Sequence, residues 1–386
     1  MQPAIDHPGP TGAVVRPRLA VSTAFFLLGL GSGIWAVHIP LVQARLEIAP
    51  SVLGFALFAM AIGAVLAMPL TGWAIGRLGS RRPTAFLTIA FTLTTPLPTL
   101  AGSVWSLFAA TWLFGLAMGG LDVAMNVQAA EIEAARRRPT MSSFHGFFSL
   151  GGLAGALIGA ALIAAGWGNG EGAAVLAVLL LGPAILSAGN LFPSVRPIAP
   201  GSPRFGLPDR AVFALCILAF LCFAVEGAVT DWSALYLTSV KGAAPAAAAA
   251  GFALFSLAMA ACRLTGDALV ARLGGGTVLI GGGLLIAVGL GVALGSPWAF
   301  VGALGFGILG VGAANVVPVL FSRAARTPGV EPSIGVAAVA TLGYSGFLVT
   351  PPVLGLVADA YGLSVALGLV LLMGLAIAGL GAIHRN

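Results

Sequence analysis

Twelve long stretches with few charged residues limit the fold of this chain more than any other feature of the sequence. They cover residues 19–41, 51–73, 84–103, 105–128, 144–165, 173–192, 211–235, 246–270, 277–295, 298–322, 333–357 and 363–383. A helix needs roughly 20 apolar residues to cross a bilayer. Because backbone groups in hydrocarbon must be satisfied within their own segment, and because barrel strands are far shorter, we predict twelve transmembrane helices.

The overall composition supports a membrane protein. Hydrophobic residues make up 59% of the chain and charged residues only 8%. A soluble domain of ordinary composition carries about 25% charged residues. The fold class predicted from these values is therefore an all-α membrane protein.

The sequence also repeats at half its length. Trp35 and the segment 54–58, Gly-Phe-Ala-Leu-Phe, return as Trp232 and the identical segment 251–255, displaced by 197 residues. Repetition at this scale is typical of transporters built from two similar bundles. We therefore predict two pseudo-symmetric six-helix bundles at 19–192 and 211–386, a proline-rich cytoplasmic linker at 193–210, and a disordered cytoplasmic tail at 1–18.

Basic residues predict how the chain is oriented in the membrane. With the N-terminus inside, fifteen of the eighteen basic residues fall on cytoplasmic segments, and only Arg45 and Lys241 fall outside. Arg263 lies within a predicted span. This bias predicts that both termini are cytoplasmic, and it explains the positive charge without a nucleic-acid partner.

The loop after the second span carries a recognisable motif. It reads Gly-Trp-Ala-Ile-Gly-Arg-Leu-Gly-Ser-Arg-Arg from Gly72 to Arg82 and resembles the signature of the major facilitator superfamily. The resemblance extends over about residues 19–383. One position departs from the family pattern, because Gly76 occupies the place of the acid that helps to latch the two halves in the family.

The resemblance implies a secondary active transporter that moves a small organic solute by alternating access. We expect it to use the proton gradient and no other cofactor, and to act as a monomer in the inner (cytoplasmic) membrane. The sequence lacks the motifs of common hydrolases, metalloenzymes and nucleotide-binding enzymes. Neither a catalytic residue nor a metal site is therefore predicted. Two alternatives stay open, a proton-antiport efflux pump for drugs or metabolites and a membrane sensor without transport activity.

Glu226 is the first candidate for coupling to protons or for binding substrate. It lies near mid-membrane in the seventh span and has no basic residue within one helical turn. An ionised carboxylate at that depth is costly, so a lone acid there is expected to take up and release a proton. The alternative is a neutral Glu226 that hydrogen-bonds a neighbouring helix.

The fourth span contributes a narrow polar face. Asp122 shares this face with Met118 and Asn126 at steps of four. In the family the first, fourth, seventh and tenth helices line a central cavity, so Asp122, Asn126 and Glu226 would meet there with Asn315 of the tenth span. An acid on the fourth helix also resembles the fucose-permease-like branch, although the first span here lacks the acid of that branch.

The eighth span holds Arg263 and Asp267, which lie four residues apart on one helical face. Such a spacing predicts an ion pair that serves the latch between the halves. The alternative is that Arg263 contacts an anionic substrate or a proton-carrying acid. The predicted cytoplasmic gate comprises Gly72, Gly79, Arg81, Arg82, Asp267 and Arg272.

Two further features carry expectations about packing. The glycines of the fifth span at spacings of four predict close contact with another helix. Asp231 beside Trp232 is expected to be a solvated helix end, with Trp232 and its repeat counterpart Trp35 as aromatic anchors at the membrane surface.

Overall fold

The computed structural model describes residues 14–136, 140–193, 210–324, 327 and 332–383, and all its regular elements are helices. The N-terminal half contains α1 (Val15–Leu46), α2 (Pro50–Leu78), α3 (Arg81–Thr94), α4 (Leu97–Leu100), α5 (Val104–Arg136), α6 (Met141–Ala164) and α7 (Glu171–Gly189). The C-terminal half contains α8 (Arg210–Ser239), α9 (Pro245–Ala248), α10 (Ala250–Leu273), α11 (Gly275–Gly295), α12 (Ala299–Ala313), α13 (Val316–Ala324), α14 (Pro332–Tyr361) and α15 (Leu363–Ile383). The predicted all-α fold class is confirmed.

Eleven segments in the described part of the chain are long and apolar enough to cross a membrane. The twelfth predicted span, 84–103, is divided between α3 and the short α4. Pro96 and Pro98 follow the end of α3, and proline cannot donate the backbone hydrogen bonds that continue a helix. The tenth span is also divided, into α12 and α13.

The ends of the two predicted bundles lie partly outside the described residues. Helix α1 begins at Val15, within the predicted tail 1–18, and residues 1–13 lie outside the described part. Most of the predicted linker, 194–209, also lies outside it, and α8 begins at Arg210.

Helix packing repeats the duplication seen in the sequence. In the N-terminal half the main partners are α1 with α6, α2 with α5, and α3 with α7. The corresponding spans of the C-terminal half form the same pairs, α8 with α14, α10 with α12, and α11 with α15. The two halves are therefore built on one packing plan.

Glycines bring α1 and α6 into close contact, as the spacing in the fifth span predicts. A Cβ on Gly29 of α1 would overlap the carbonyl oxygen of Phe148 on α6, and one on Gly155 of α6 would overlap the carbonyl oxygen of Leu30. Small residues allow such backbone approach in membranes, where dispersion contacts drive helix association. The first span is consequently held firmly within its own half.

The halves meet mainly through α2 against α14 and α6 against α10. We call the end where α1 begins and α2 finishes the basic end, because a set of arginines lies there, Arg18, Arg77, Arg81, Arg82 and Arg272. At the opposite end, a Cβ on Gly54 would meet the carbonyl oxygen of Pro351 at 2.6 Å, and one on Gly355 would meet that of Pro50 at 2.7 Å. Helices α2 and α14 are thus in backbone contact at the opposite end.

The two basic residues that depart from the charge bias have equivalent structural roles. An amino group of the Arg45 guanidinium donates to the carbonyl oxygens of Thr99 at 2.7 Å and Ala101 at 2.9 Å. In the second half, Lys241 Nζ donates to the carbonyl oxygens of Leu294 at 3.1 Å and Ser296 at 2.6 Å. Each cation therefore binds carbonyls at the end of the third span of its half, where the last carbonyls of a helix have no donor within the helix.

We expect Arg45→Met and Lys241→Met each to lower the free energy of unfolding by about 1–2 kcal/mol, because carbonyls that accept from a charged donor lose their partner. The measurement is thermal or denaturant unfolding of the purified protein. Arg16→Met is the control, since Arg16 is exposed and its substitution should cost less than about 0.5 kcal/mol. Equal stability of all three variants would contradict the assignment.

Candidate functional site

The candidate site lies at the middle of the bundle, where the two halves face each other. Asp122, Glu226, Arg263 and Tyr344 each stand close to the midpoint of their helices α5, α8, α10 and α14. Their side chains are only partly buried. Polar groups at this depth are expensive in a membrane and point to a functional site.

The polar face of α5 forms one wall of the site. Asn126 Nδ2 donates to the backbone oxygen of Asp122 at 2.8 Å and to its Oδ1 at 3.2 Å. Met118, Asp122 and Asn126 are all partly exposed, although they lie within a membrane-spanning helix. The structure thus brings the predicted pair Asp122 and Asn126 together on one accessible face.

Asp122 also makes a contact that joins the two halves. The hydroxyl of Tyr344 on α14 donates to Asp122 Oδ2 at 3.2 Å. Helix α5 belongs to the N-terminal half and α14 to the C-terminal half, so this hydrogen bond crosses the interface on which any relative movement must act.

Tyr344 was missed by the sequence analysis, although the sequence holds a signal for it. The chain has three tyrosines, and this one lies between Gly343 and Gly346 inside a span. The two glycines let α14 approach α8, because a Cβ on Gly343 would meet the ring of Phe223 at 2.7 Å. A tyrosine flanked by small residues in an apolar helix is thus a candidate for a polar contact at a helix interface.

Aromatic rings extend the site beside Tyr344. The ring of Phe223 on α8 stacks on Tyr344, with centroids 5.0 Å apart and planes inclined by 12°. Phe347 lies 5.2 Å from Phe223, measured between ring centroids. These three rings form an aromatic surface next to the Asp122 carboxylate.

Glu226 is not unpaired, so the sequence-based prediction was wrong on this point. The guanidinium of Arg263 on α10 lies 3.3 Å from Glu226 Oε2 and 3.4 Å from Oε1, and the two side chains are only 14% and 12% exposed. Spacing along one helix could not reveal a partner on another helix. Asp267 lies in α10, but its side chain is outside the described part of the structure. The contact observed is therefore the alternative in which Arg263 meets the candidate proton-carrying acid.

Asn315 does not line the site as predicted. It is 5% exposed, and its Nδ2 donates to the backbone oxygen of Cys262 on α10 at 3.3 Å. Gly266 lies against the Asn315 side chain and leaves no room for a Cβ. Asn315 thus fastens the region between α12 and α13 to α10.

The predicted gate residues lie at the basic end. Gly79 ends α2 with a positive φ of 74°, and Gly274 ends α10 after Arg272 with a φ of 77°. Arg81 donates to the backbone oxygen of Gly189, within its own half, at 2.9 Å. Arg82 belongs to the first turn of α3 and is exposed.

The motif was predicted to lie in a loop, but Gly72 to Leu78 belong to the last turns of α2, and two of its glycines make no tight contact. A Cβ added at Gly72 or Gly76 would have no atom within 4 Å. The opposite end, by contrast, holds α2 and α14 in backbone contact. In the described conformation α2 therefore contacts the backbone of α14 at the opposite end, and it has no described neighbour close to Gly72 or Gly76 at the basic end.

Three residues expected at the membrane surface are buried. Asp231 is 5% exposed, Trp35 is 1% exposed and Trp232 is 0% exposed. The predicted solvated helix end and aromatic anchors were therefore wrong. Helix α8 continues to Ser239 and α1 to Leu46, so these residues lie deeper than the span boundaries drawn from the sequence.

Comparison with known proteins gives consistent matches over most of the chain. The family model of the Major Facilitator Superfamily matches residues 21–331. An uncharacterized MFS-type transporter from Yersinia pestis is 38% identical over 371 residues, which cover 94% of each chain.

Two solved structures share the fold. A mutant of the nucleoside transporter NupG superposes with a TM-score of 0.76 at 13% identity, over 97% of this chain and 100% of that chain. A bacterial homologue of the human lysosomal transporter Spinster, in an inward-facing and unoccupied conformation, gives a TM-score of 0.73 at 16% identity over 97% of each chain. The likeness to the fucose-permease-like branch stays a prediction.

The family match and the transporter relative place the chain among membrane transporters and not among enzymes. The twelve-span plan, the duplicated packing and the polar site between the halves agree with this assignment. The chain belongs to the major facilitator superfamily.

Proposed function

We propose that this protein is a secondary active transporter that moves a small organic solute by alternating access and couples the movement to protons. The observation that carries the proposal is the Asp122–Tyr344 hydrogen bond between the halves, beside the Glu226–Arg263 ion pair. Ionisable groups at mid-membrane are energetically costly, and proteins keep them there mainly where function requires them. Here Asp122 bonds across the interface that must open and close, and the Glu226–Arg263 pair lies in the C-terminal half beside it.

The described conformation corresponds to one end of such a cycle. Helices α2 and α14 touch at the opposite end, whereas at the basic end of α2 no described atom lies within 4 Å of a Cβ added at Gly72 or Gly76. The inward-facing Spinster homologue has a similar fold. We infer that solute reaches the site from the basic end in this state, and that rocking of the halves opens the opposite end.

Protonation of Asp122 can shift the equilibrium between the two states. An ionised carboxylate accepts a stronger hydrogen bond than a neutral carboxyl group does. Protonation of Asp122 would therefore weaken its bond to Tyr344 and favour separation of the halves at that point. A proton shifts the two-state equilibrium only because it binds one state more tightly than the other.

The solute site that we infer is formed by the aromatic surface of Phe223, Tyr344 and Phe347 together with the amide of Asn126. Apolar rings with a few polar groups suit a small organic solute of low charge. Glu226 and Arg263 would contribute the charged edge of this site. The roles of these residues rest on their positions around the accessible face of α5.

We also propose the inner membrane as the location, a monomer as the working unit, and the basic end as the cytoplasmic side. The last proposal rests on the basic residues that collect at that end. The lipid bilayer and a small-molecule substrate are the partners that this arrangement requires.

Proton coupling predicts a solute-dependent proton flux that Asp122→Asn abolishes. Proteoliposomes with an internal pH dye would be screened with sugars, amino acids, organic acids and antibiotics. A transported solute should change the internal pH, and Asp122→Asn should lower that flux at least about tenfold, because the amide cannot exchange the proton. The matched control is Asp359→Asn, at an exposed acid near the end of α14. Solute transport without proton movement, or full flux in Asp122→Asn, would contradict proton coupling.

The proposed orientation predicts where reporter fusions are active. A fluorescent protein fused after Asn386 should fold and fluoresce, and alkaline phosphatase fused there should be inactive, since the C-terminus is predicted to be cytoplasmic. Phosphatase inserted after Gly242 should be active, because that loop lies at the opposite end. The reverse pattern would show that the basic end faces outward.

A further inference from the structure

The tenth span is broken close to the Glu226–Arg263 pair. Helix α12 ends at Ala313 and α13 begins at Val316, so Ala314 and Asn315 interrupt the regular helix. Broken helices at mid-membrane place unpaired backbone groups where water is scarce, and transporters use such breaks at their working sites.

Proline explains which backbone group becomes free at this break. Pro318 has no N–H, so it cannot donate to the carbonyl oxygen of Ala314 four residues earlier. Arg263 supplies a replacement, because its Nε donates to the Ala314 oxygen at 3.4 Å. The Sγ of Cys222 lies 4.0 Å from the neighbouring carbonyl oxygen of Ala313. Arg263 of α10 thus supplies a donor to the carbonyl that Pro318 leaves free, and the Cys222 thiol of α8 lies beside the preceding carbonyl.

The parts of this arrangement are absent from the first half. By the 197-residue register, the counterparts of Glu226, Arg263 and Pro318 are Gly29, Leu66 and Leu121. Helix α5, the counterpart of α12 and α13, runs unbroken from Val104 to Arg136. The acid, the arginine and the proline therefore occur together in one half and are all missing from the other.

We propose that Arg263 is a positioning residue that couples the charge of Glu226 to the conformation of the tenth span. One guanidinium bridges the Glu226 carboxylate and the carbonyl freed by Pro318. The inference rests on the proposed function in one respect, namely that the transporter is coupled to protons, and it adds Glu226 to Asp122 as a second group that exchanges a proton.

The chemistry of the guanidinium gives the coupling its direction. Arg263 remains charged and has five N–H donors in a fixed plane. While Glu226 is ionised, these donors are divided between the carboxylate and the Ala314 carbonyl. When Glu226 takes up a proton, the ionic attraction is lost and the neutral carboxyl accepts only weaker hydrogen bonds, so the guanidinium donates more fully to the Ala314 carbonyl. Protonation therefore draws the break in the tenth span closer to α10. The backbone amides around the break are then better protected from hydrogen exchange.

Several other groups could in principle impose a pH response on this region. Tyr344 on α14 and Cys222 on α8 lie near Glu226, and Asp122 on α5 reaches it through Tyr344. His145 on α6 interacts electrostatically with Arg263. Among the helices around the pair, α15 has no titratable residue and α13 has Arg323 near its end. His38 lies on α1 toward the opposite end, and Asp267 follows Arg263 on α10. A test must therefore separate Glu226 from His145 and Asp122.

Hydrogen–deuterium exchange of residues 309–320 measures the break directly. The matched reference is the segment 106–117 of the unbroken α5, which stops short of Asp122. After correction for the intrinsic rate, wild-type exchange at 309–320 should be about threefold slower at pH 6 than at pH 8, while 106–117 should not respond. Glu226→Gln, which imitates the neutral acid, should show the slow rate at both pH values.

Four more variants identify the route of the response. Arg263→Met should exchange fast at both pH values, and Pro318→Ala should exchange as slowly as α5, because the alanine amide restores the missing donor. His145→Gln and Asp122→Asn should keep the wild-type response. A pH response that persists in Glu226→Gln or Arg263→Met, or that is absent from the wild type, would overturn the proposal.

The readout does not depend on transport. A normal exchange response without solute-dependent proton flux would disprove the proposed coupling to transport while leaving the Arg263 bridge in place. Normal proton flux without the exchange response would disprove the bridge alone.

Discussion

Burial in hydrocarbon requires a partner for every backbone polar group, and the helical structure follows from this requirement. Backbone groups are satisfied by helices, and glycines such as Gly29 and Gly155 allow those helices to touch. Arg45 and Lys241 bind the free carbonyls at the ends of equivalent spans. The same rule makes Asp122, Glu226 and Arg263 informative, because each has found a partner at mid-membrane on another helix.

The duplicated architecture separates what is structural from what is specific to function. Both halves use the same helix pairs, and the two main contacts between halves, α2 with α14 and α6 with α10, are also related by the repeat. The polar site breaks this symmetry. Its ion pair and its broken helix belong to the C-terminal half, while Asp122 belongs to the N-terminal half. Asp122 and Glu226 belong to different halves, so a movement of one half past the other would change the distance between these two acids.

Much of the fold could be predicted from the sequence, because hydrophobic length and repetition are local properties of the chain. The spans, the two halves and the polar face of Asp122 and Asn126 are of this kind. The partner of Glu226 could not be predicted, since it depends on how α8 rotates against α10. Trp35 and Trp232 were placed at the surface because span ends were drawn from hydropathy, whereas helices α1 and α8 extend beyond those ends.

We propose that the two halves rock about the polar site, and distances between paired spin labels measure that movement. One pair would be placed at Ala49 and Ala360 of the opposite end and the other at Leu78 and Leu273 of the basic end, all exposed positions. The labels require a background without the three native cysteines. Between about pH 5.5 and about pH 8.5, one distance should lengthen as the other shortens, and Asp122→Asn should abolish the shift. Distances that change in the same direction, or that do not respond to pH or to this substitution, would contradict the account.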